Sequence, residues 1–328
     1  MSIGQKIRGF LFKNAVAILL CALLLFILIR MPSFFQAQNL ISLASEGCSF
    51  GIMTIGMTML MLNGYIDISM GAQLYLAGVV TIKIYQLTGN IWACLMCSMI
   101  VTVCVSLCNG VLIAKIGIPS MIATLAVKNV CKGISSLMIG KESVISMPPE
   151  FTMLGRYKFC GVPISVISLA VLFLIFIIVM KKTKFGHYVY AIGDNADACQ
   201  ASGINVFLTR EIIFAISGAL IGYAGVINVS RLGGAQFNLG EGMEFSCVAA
   251  AVVGGVSMTG GRGNMLGAVM GVIIIAALDQ LLRLFSVSTY LYDVFWGAIV
   301  LFTVSADILK NYEIKREREI KKEIEKSA

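Results

Sequence analysis

Histidine occurs once in this chain of 328 residues, at His187, and only 13% of the residues carry charge. Soluble domains have roughly a quarter of their residues charged. Enzymatic and zinc chemistry draw on histidine, clustered carboxylates or thiols. One histidine beside a basic loop, with no clustered nucleophile, leaves an integral-membrane enzyme little to work with. The chain also lacks a GxxxxGK[ST] pattern behind a strand, so it is expected to carry no nucleotide site of its own. Ten cysteines are present, mostly inside apolar runs, and none has histidines at zinc-site spacing. Cys94 and Cys97 form a CxxC within such a run; they read as small buried apolar residues. No cofactor and no metal are expected. Period-two alternation, the mark of a barrel strand, is missing too.

What remains is apolar. Hydrophobic residues make up 58% of the chain and the mean hydropathy is +0.91. A core of this length cannot hide that much apolar surface from water, so lipid is the solvent for most of it. Only helices and closed barrels satisfy their backbones in hydrocarbon, and about 20 apolar residues cross it as helix. The fold class is therefore an all-α polytopic membrane protein. Hydropathy places spans near 14–30, 46–62, 66–86, 91–113, 119–139, 163–180, 206–229, 243–258, 265–285 and 290–308. That is about ten, the third and eighth being the least distinct.

The first apolar run, within MSIGQKIRGFLFKNAVAILLCALLLFILIR, is long enough to span. No small-residue cleavage site follows it, which predicts an uncleaved first helix rather than a signal peptide. The net charge of +8 belongs to segments flanking spans, where it sets orientation, and not to nucleic-acid binding. With ten spans, Lys6, Arg8, Lys13, Lys115, Lys181, Lys182, Lys184, Arg262 and the tail fall on one side. The positive-inside rule makes that side cytoplasmic and puts both termini there. Arg30, Lys141, Arg156, Lys158 and Arg231 fall outside. Residues 1–310 read as one transmembrane domain and 311–328 as a charged cytoplasmic tail. The longest polar interruption, residues 140–163, cannot span and holds no catalytic cluster.

Two segments echo each other: IGMTMLMLNGYIDISMGAQLYLAGV and VAAAVVGGVSMTGGRGNMLGAVMGV. Each has an apolar run, a glycine-containing break, a Ser/Thr turn, another glycine and a second apolar run. The echo suggests duplicated halves with an interrupted helix in each, where transporters place their pathways. In the first break, Asn63, Asp67, Ser69 and Gly71 are the candidate residues. Asp67 has no basic neighbour in sequence. With Ser69 it either lines the solute path or holds the broken helix by accepting backbone N–H bonds, or else Asp67 caps a helix start at the cytoplasmic interface. Its position in the hydropathy pattern favours capping. In the second break the candidates are Gly254, Gly255, Gly260, Gly261 and Arg262. Lys128 and Lys132, four residues apart, share one face of the fifth span; they either line a polar path or snorkel to an interface.

Between two long apolar runs lies YAIGDNADACQASGI, residues 188–204 with its flanks. Gly193 is expected to break the preceding segment, Asp194 or Asn195 to cap a two-turn helix, and Gly203 to follow its last turn. Ala196, Ala198 and Ala201 keep that helix slim enough to enter a groove in another protein. A capped rod between two spans can act as a lever.

The runs FGHYVYAIGDNADACQASGINV, SGALIGYAGVI, RLGGAQFNLGEGMEF, AAAVVGGVSMTGGRGNMLGAVMGV, NGYIDISMG and NGVLIAKIGIPSMIATLAV together resemble the permease subunit of ribose-type ATP-binding-cassette (ABC) importers. The resemblance covers residues 45 to 307. That family handles ribose, xylose, galactose-type sugars and an autoinducer. It implies a permease of about ten helices in a bacterial plasma (inner) membrane, paired with a second copy. It also implies ATPase subunits inside and a solute-binding protein outside. By resemblance the coupling residues are Gly193, Asn195, Ala198, Ser202, Gly203 and Ile204. The GIDLSxG-type motif maps onto Ile66, Asp67, Ile68, Ser69 and Gly71, with Tyr65 in place of a glycine. The GG…GGRG motif maps onto Gly254, Gly255, Gly260, Gly261, Arg262 and Gly263. Where relatives show GEGYELDAIAA this chain has GEGMEFSCVAA, Met243 standing for tyrosine and Ser246 for aspartate, so the sugar is left unnamed. A nucleoside importer permease is the near alternative, and an ion-driven carrier using Asp67 or Glu244 a more distant one.

Overall fold

A computed structural model describes residues 36–139, 144–236 and 239–284, with isolated positions between 294 and 305. The expected spans at 14–30 and 290–308 and the tail at 311–328 lie outside, or almost wholly outside, these residues. A short α1 (Ala37–Glu46) bends by 47° at Gly47 into α2 (Cys48–Leu62). After a break come α3 (Met70–Thr88), α4 (Ile91–Gly110, running on through a π-helical stretch Val111–Lys115) and α5 (Ser120–Ile139). One face then carries β1 (Val144–Ser146), α6 (Pro149–Arg156), β2 (Lys158–Phe159) and β3 (Val162–Pro163). Next are α7 (Ile164–Lys182), α8 (Lys184–Asp194), α9 (Ala196–Ala201) and α10 (Val206–Leu232). The chain continues with β4 (Gly234–Gln236), α11 (Met243–Val253) and α12 (Met265–Leu284).

Five of these helices, those at 91–115, 120–139, 164–182, 206–232 and 265–283, are long and apolar enough to cross a bilayer, and the bent α1–α2 pair adds a sixth. All agree closely with the hydropathy reading. The expected span at 243–258 differs. Its helix, α11, has 11 residues, about 16 Å at 1.5 Å per residue, half the hydrocarbon thickness. Glycines at 254 and 255 end it early.

The bundle is polar inside and apolar outside along several helices. The buried stripe of α4 is Cys94, Ser98, Thr102, Ser106 and Asn109, while Trp92, Met96 and Ile100 face outward. On α5, Thr124, Cys131 and Ser135 are buried and Leu125, Val130, Ile134 and Leu137 are exposed. Water would reverse this arrangement; lipid permits it, because small and hydroxyl-bearing residues pack and hydrogen-bond helices where no hydrophobic force drives association. The chain is thus a polytopic helical membrane protein. At its centre lies α2, buried along its whole length, one of the two settings, protein core or lipid, open to a helix apolar all round. The 27-residue α10 packs on α4, α2 and α3. Gly218 and Gly222, four apart on α10, sit so close to Val103, Thr102 and Met99 of α4 that a Cβ at either would strike backbone.

Polar residues between α5 and α7 close one end of the bundle. β1 pairs antiparallel with β4, from Val144 opposite Gln236 to Ser146 opposite Gly234. Ser230 Oγ at the end of α10 donates to the Phe151 carbonyl at 2.6 Å and accepts from Gly155 N–H at 2.7 Å. This ties α6 to α10.

Candidate functional site

At the opposite end, the water-facing segment is two helices rather than one. Thr183 Oγ1 accepts from Gly186 N–H and starts α8, an element hidden in the sequence by its lysine-flanked beginning. Asn195 is the N-cap of α9, its Oδ1 accepting from Ala198 N–H at 2.9 Å, and Asp197 sits in the first turn. Six residues later the helix closes with Gly203 N–H to Gln200 carbonyl at 3.0 Å and Ile204 N–H to Cys199 carbonyl at 3.1 Å. Gly203 takes φ +81° there, the left-handed conformation that such an ending needs. Ile204 packs back on Cys199. The Ser202 hydroxyl donates to the Ala198 carbonyl. Asp197, Ala198, Gln200, Ala201 and Ser202 remain exposed.

Gly193 does not break the chain, contrary to expectation. It lies within α8 and marks a close approach. A Cβ there would fall on the Leu62 carbonyl and the Gly261 amide. Those two groups bond to each other, Gly261 N–H donating to Leu62 carbonyl at 2.8 Å. Gly260 leaves room for the Gly193 carbonyl and the Gly64 amide, and Gly261 for the backbone of Asp194. Asn63, the C-cap of α2, is buried and donates from Nδ2 to the Val189 carbonyl of α8 at 3.2 Å. The end of α8 therefore rests on both helix breaks at once, through backbone.

The breaks themselves share a design. Gly64 N–H donates to Met61 and Tyr65 N–H to Leu60; Gly255 N–H donates to Val252 and Val256 N–H to Ala251. Gly64 and Gly255 adopt φ +84° and +83°, so α2 and α11 end alike, as the sequence echo suggests. The second glycines do not correspond. Gly71 lies inside α3, whereas Gly261 lies in a turn held by Ser257 N–H to Arg262 carbonyl at 3.0 Å. Gly254 caps α11.

The favoured capping role of Asp67 is overturned. Ser69, not Asp67, is the residue before α3, and no side chain caps that helix. Asp67 is fully buried. Its Oδ1 accepts from Ser69 N–H at 2.8 Å and from Ser69 Oγ at 2.5 Å. Its Oδ2 accepts from Gln73 Nε2 at 3.2 Å and Asn109 Nδ2 at 3.3 Å. Ser106 Oγ donates to Gln73 Oε1 at 2.9 Å, and Thr124 Oγ1 accepts from Ile68 N–H at 3.1 Å. Sequence reasoning missed Gln73, Ser106, Asn109 and Thr124. A signal existed: Ser98, Thr102, Ser106 and Asn109 recur at helical spacing in an otherwise apolar run.

A cavity of about 840 Å³ lies among the first residues of α2, the C-terminal end of α10, the start of α11 and α12. Its lining includes Glu46, Lys128, Arg231, Glu241, Glu244, Phe245, Asp279 and Arg283. Neither lysine of α5 relies on snorkelling. Lys128 pairs with Glu244 of α11, and Lys132 with Glu241 at 3.1 Å. Arg283 bridges Glu46 at 2.5 Å and also pairs with Asp279. A Cβ at Gly71 would meet Glu244 Oε2 and the Gly240 carbonyl, so this glycine admits the loop before α11 into the bundle. Among the described residues, no three His, Cys, Asp or Glu side chains gather as metal ligands would.

The geometry combines a helical bundle with buried polar groups, a cavity lined by charged residues, and a helix, α8, that rests on both helix breaks. Residues 39–304 match the family described as branched-chain amino acid transport system / permease component. The ribose import permease protein of Bacillus subtilis is 34% identical over 291 residues, covering 88% of this chain and 90% of that protein. The ribose import permease protein of Escherichia coli K12 is 30% identical, covering 92% and 95%. The galactose/methyl galactoside import permease protein of the same organism is 31% identical, covering 92% and 95%. This chain belongs to the family of branched-chain amino acid transport system / permease components, as a multi-pass membrane permease.

Proposed function

We infer that this chain is the membrane permease subunit of an ABC importer that translocates a ribose-like monosaccharide. The names of its relatives and the ion pairs Lys128–Glu244 and Arg283–Glu46 in the cavity wall, which suit a neutral polyol better than an ion, support the sugar. The observation that carries the mechanism is the bracing of α8, which leads directly into α9, against both helix breaks. The exposed face of α9, with Asn195, Ala198, Ser202, Gly203 and Ile204 shaping it, is the docking surface for an ATPase subunit in the cytoplasm. A stroke on α9 passes through Gly193 to Leu62, Gly64, Gly260 and Gly261, and so to the starts of α3 and α12. An ATPase that binds inward- and outward-facing states unequally can then shift their populations.

On this reading the α8–α9 end is cytoplasmic, with Lys181, Lys182, Lys184 and Arg262 beside it, and the β1–β4 end faces a solute-binding protein. Ten crossings, α11 being an incomplete one, put both termini inside. The exposed apolar faces of α4, α5 and α7 meet lipid or a second permease copy. Asp67 serves the break, and its four hydrogen bonds come from neutral donors. A sealed Asp67 and a lysine-paired Glu244 weigh against an ion-driven carrier; a nucleoside importer differs only in solute.

The test is a reconstituted complex of this chain, its ATPase and its binding protein in liposomes. Labelled ribose uptake should require ATP and persist without a proton gradient. An Ala198→Cys variant should cross-link to the ATPase. Uptake that follows the proton gradient without ATPase, or an Ala198→Cys thiol equally reactive with and without the ATPase, would overturn the reading.

A further inference from the structure

The cavity ends on an acid that is buried yet half unpartnered. Glu244 is 1% exposed; its Oε1 meets Lys128 Nζ, and no hydrogen-bond partner reaches its Oε2 among the described residues. Leaving a buried acceptor bare costs about 1–3 kcal/mol, and native structures keep few such groups. Local packing makes room for this one, since Gly71 presents no side chain toward Oε2. Lys128 keeps 19% exposure, and its Nζ stands 5.8 Å from the centroid of the Phe245 ring, itself 42% exposed. All three residues line the cavity beside Ser246.

We propose that Glu244, Lys128 and Phe245 form a solute subsite at the inner end of this cavity, where Glu244 Oε2 accepts a hydroxyl of a neutral polyhydroxylated solute in transit. The proposal rests on the sugar-importer reading. A paired carboxylate and ammonium offer an acceptor and donors without net charge, so they have no hold on a free ion. The ring of Phe245 offers an apolar face to the C–H side of a pyranose or furanose. A zwitterionic amino acid would have to open the Lys128–Glu244 pair to be held as well. One half-satisfied acceptor also suits a transit site, which must release what it binds. Were the pair only a brace between α5 and α11, it would not distinguish one sugar from another.

That difference is measurable in the reconstituted complex with ribose and its singly deoxygenated derivatives. Selection by the binding protein is common to wild type and variant, so it cancels when their preferences are compared. Glu244→Gln should lower ribose uptake about tenfold or more, and should shrink the preference for ribose over one deoxy derivative by a similar factor. Phe245→Leu, which leaves the ion pair intact, should lower uptake of every sugar several-fold at unchanged membrane abundance, and serves if the first variant fails to assemble. Phe245→Cys should react with a membrane-impermeant maleimide from the side of the binding protein, more slowly while ribose is being delivered. Equal slowing of all sugars by Glu244→Gln, full uptake by Phe245→Leu, or a Phe245→Cys thiol that ribose does not protect overturns the subsite. A wild-type complex that moves no ribose overturns the sugar reading, and the subsite with it.

Discussion

The first helix break, residues 63–69, and the second, residues 254–264, end their leading helices with the same pair of hydrogen bonds. They restart the next helix by different means. The first is held by side chains: Asp67, Ser69, Gln73 and Asn109 form a closed set with no exposure to solvent. The second combines backbone bonds, Gly261 on Leu62 and Ser257 on Arg262, with side-chain bonds of short range, Ser257 Oγ with Thr259 Oγ1 at 3.0 Å and Asn264 Oδ1 accepting from Gly267 N–H at 2.6 Å. A side-chain clamp fixes a geometry, whereas a glycine-to-glycine contact lets two backbones slide together with no bulk between them. The end of α8 touches both breaks, through Leu62 and Asn63 of the first and Gly260 and Gly261 of the second; on the proposed function the clamped break would act as its fulcrum and the glycine-rich one would give it travel.

The contrast breaks most sharply at Gly193. Its Cβ position is occupied by two backbone groups, neither of which is the free end of a flexible side chain. Gly193→Ala should separate α8 from both breaks and abolish the Gly261–Leu62 bond. ATP-driven ribose uptake should fall by at least an order of magnitude in liposomes while ATP hydrolysis continues. Uptake near wild type would mean that α8 does not transmit force by this contact.

Asp67→Ala tests the other break. Four hydrogen bonds at ~0.6 kcal/mol each, the average between membrane helices, come to about 2 kcal/mol. Gln73, Asn109 and Ser69 would be left with unmet donors, which adds about as much again. The expected result is a lower thermal midpoint of the purified permease in detergent, with Asp67→Asn recovering part of the loss. If the Asp67→Ala midpoint is unchanged and uptake alone is lost, Asp67 belongs to the path and not to the clamp.

How far the sequence foretells these features depends on range. Lipid thickness fixes helix length, so α4, α5, α7, α10 and α12 are legible as apolar runs within a few residues. The α9 caps are legible for the same kind of reason, since Asn195 and Gly203 act on residues three or four positions away. The Asp67 clamp joins residues up to 42 positions apart, and the Gly193–Leu62–Gly261 junction joins three separate elements. Neither contact leaves a local pattern. The α8 helix was obscured because its start, KFGHYVYAI, follows directly on the lysines that end α7 and reads as a cytosolic loop. Gly71 was taken for a break residue because its purpose, room for Glu244 and Gly240, sits on a different helix.

Gly203 offers the smallest effect and the finest discrimination, because it differs from Gly193 in kind. A Cβ at Gly203 meets nothing within 4 Å, yet φ is +81°. Substitution there is conformationally strained rather than blocked, at about 1–2 kcal/mol for a side chain in the left-handed region. Gly203→Val should fray the end of α9, seen as faster amide exchange at Gly203 and Ile204, and should lower uptake several-fold. Gly203→Asn should recover most of that, since asparagine tolerates this conformation better than other side chains. Equal loss in both variants would shift the cause from backbone strain to the exposed surface itself, where any side chain at this position obstructs what docks on α9.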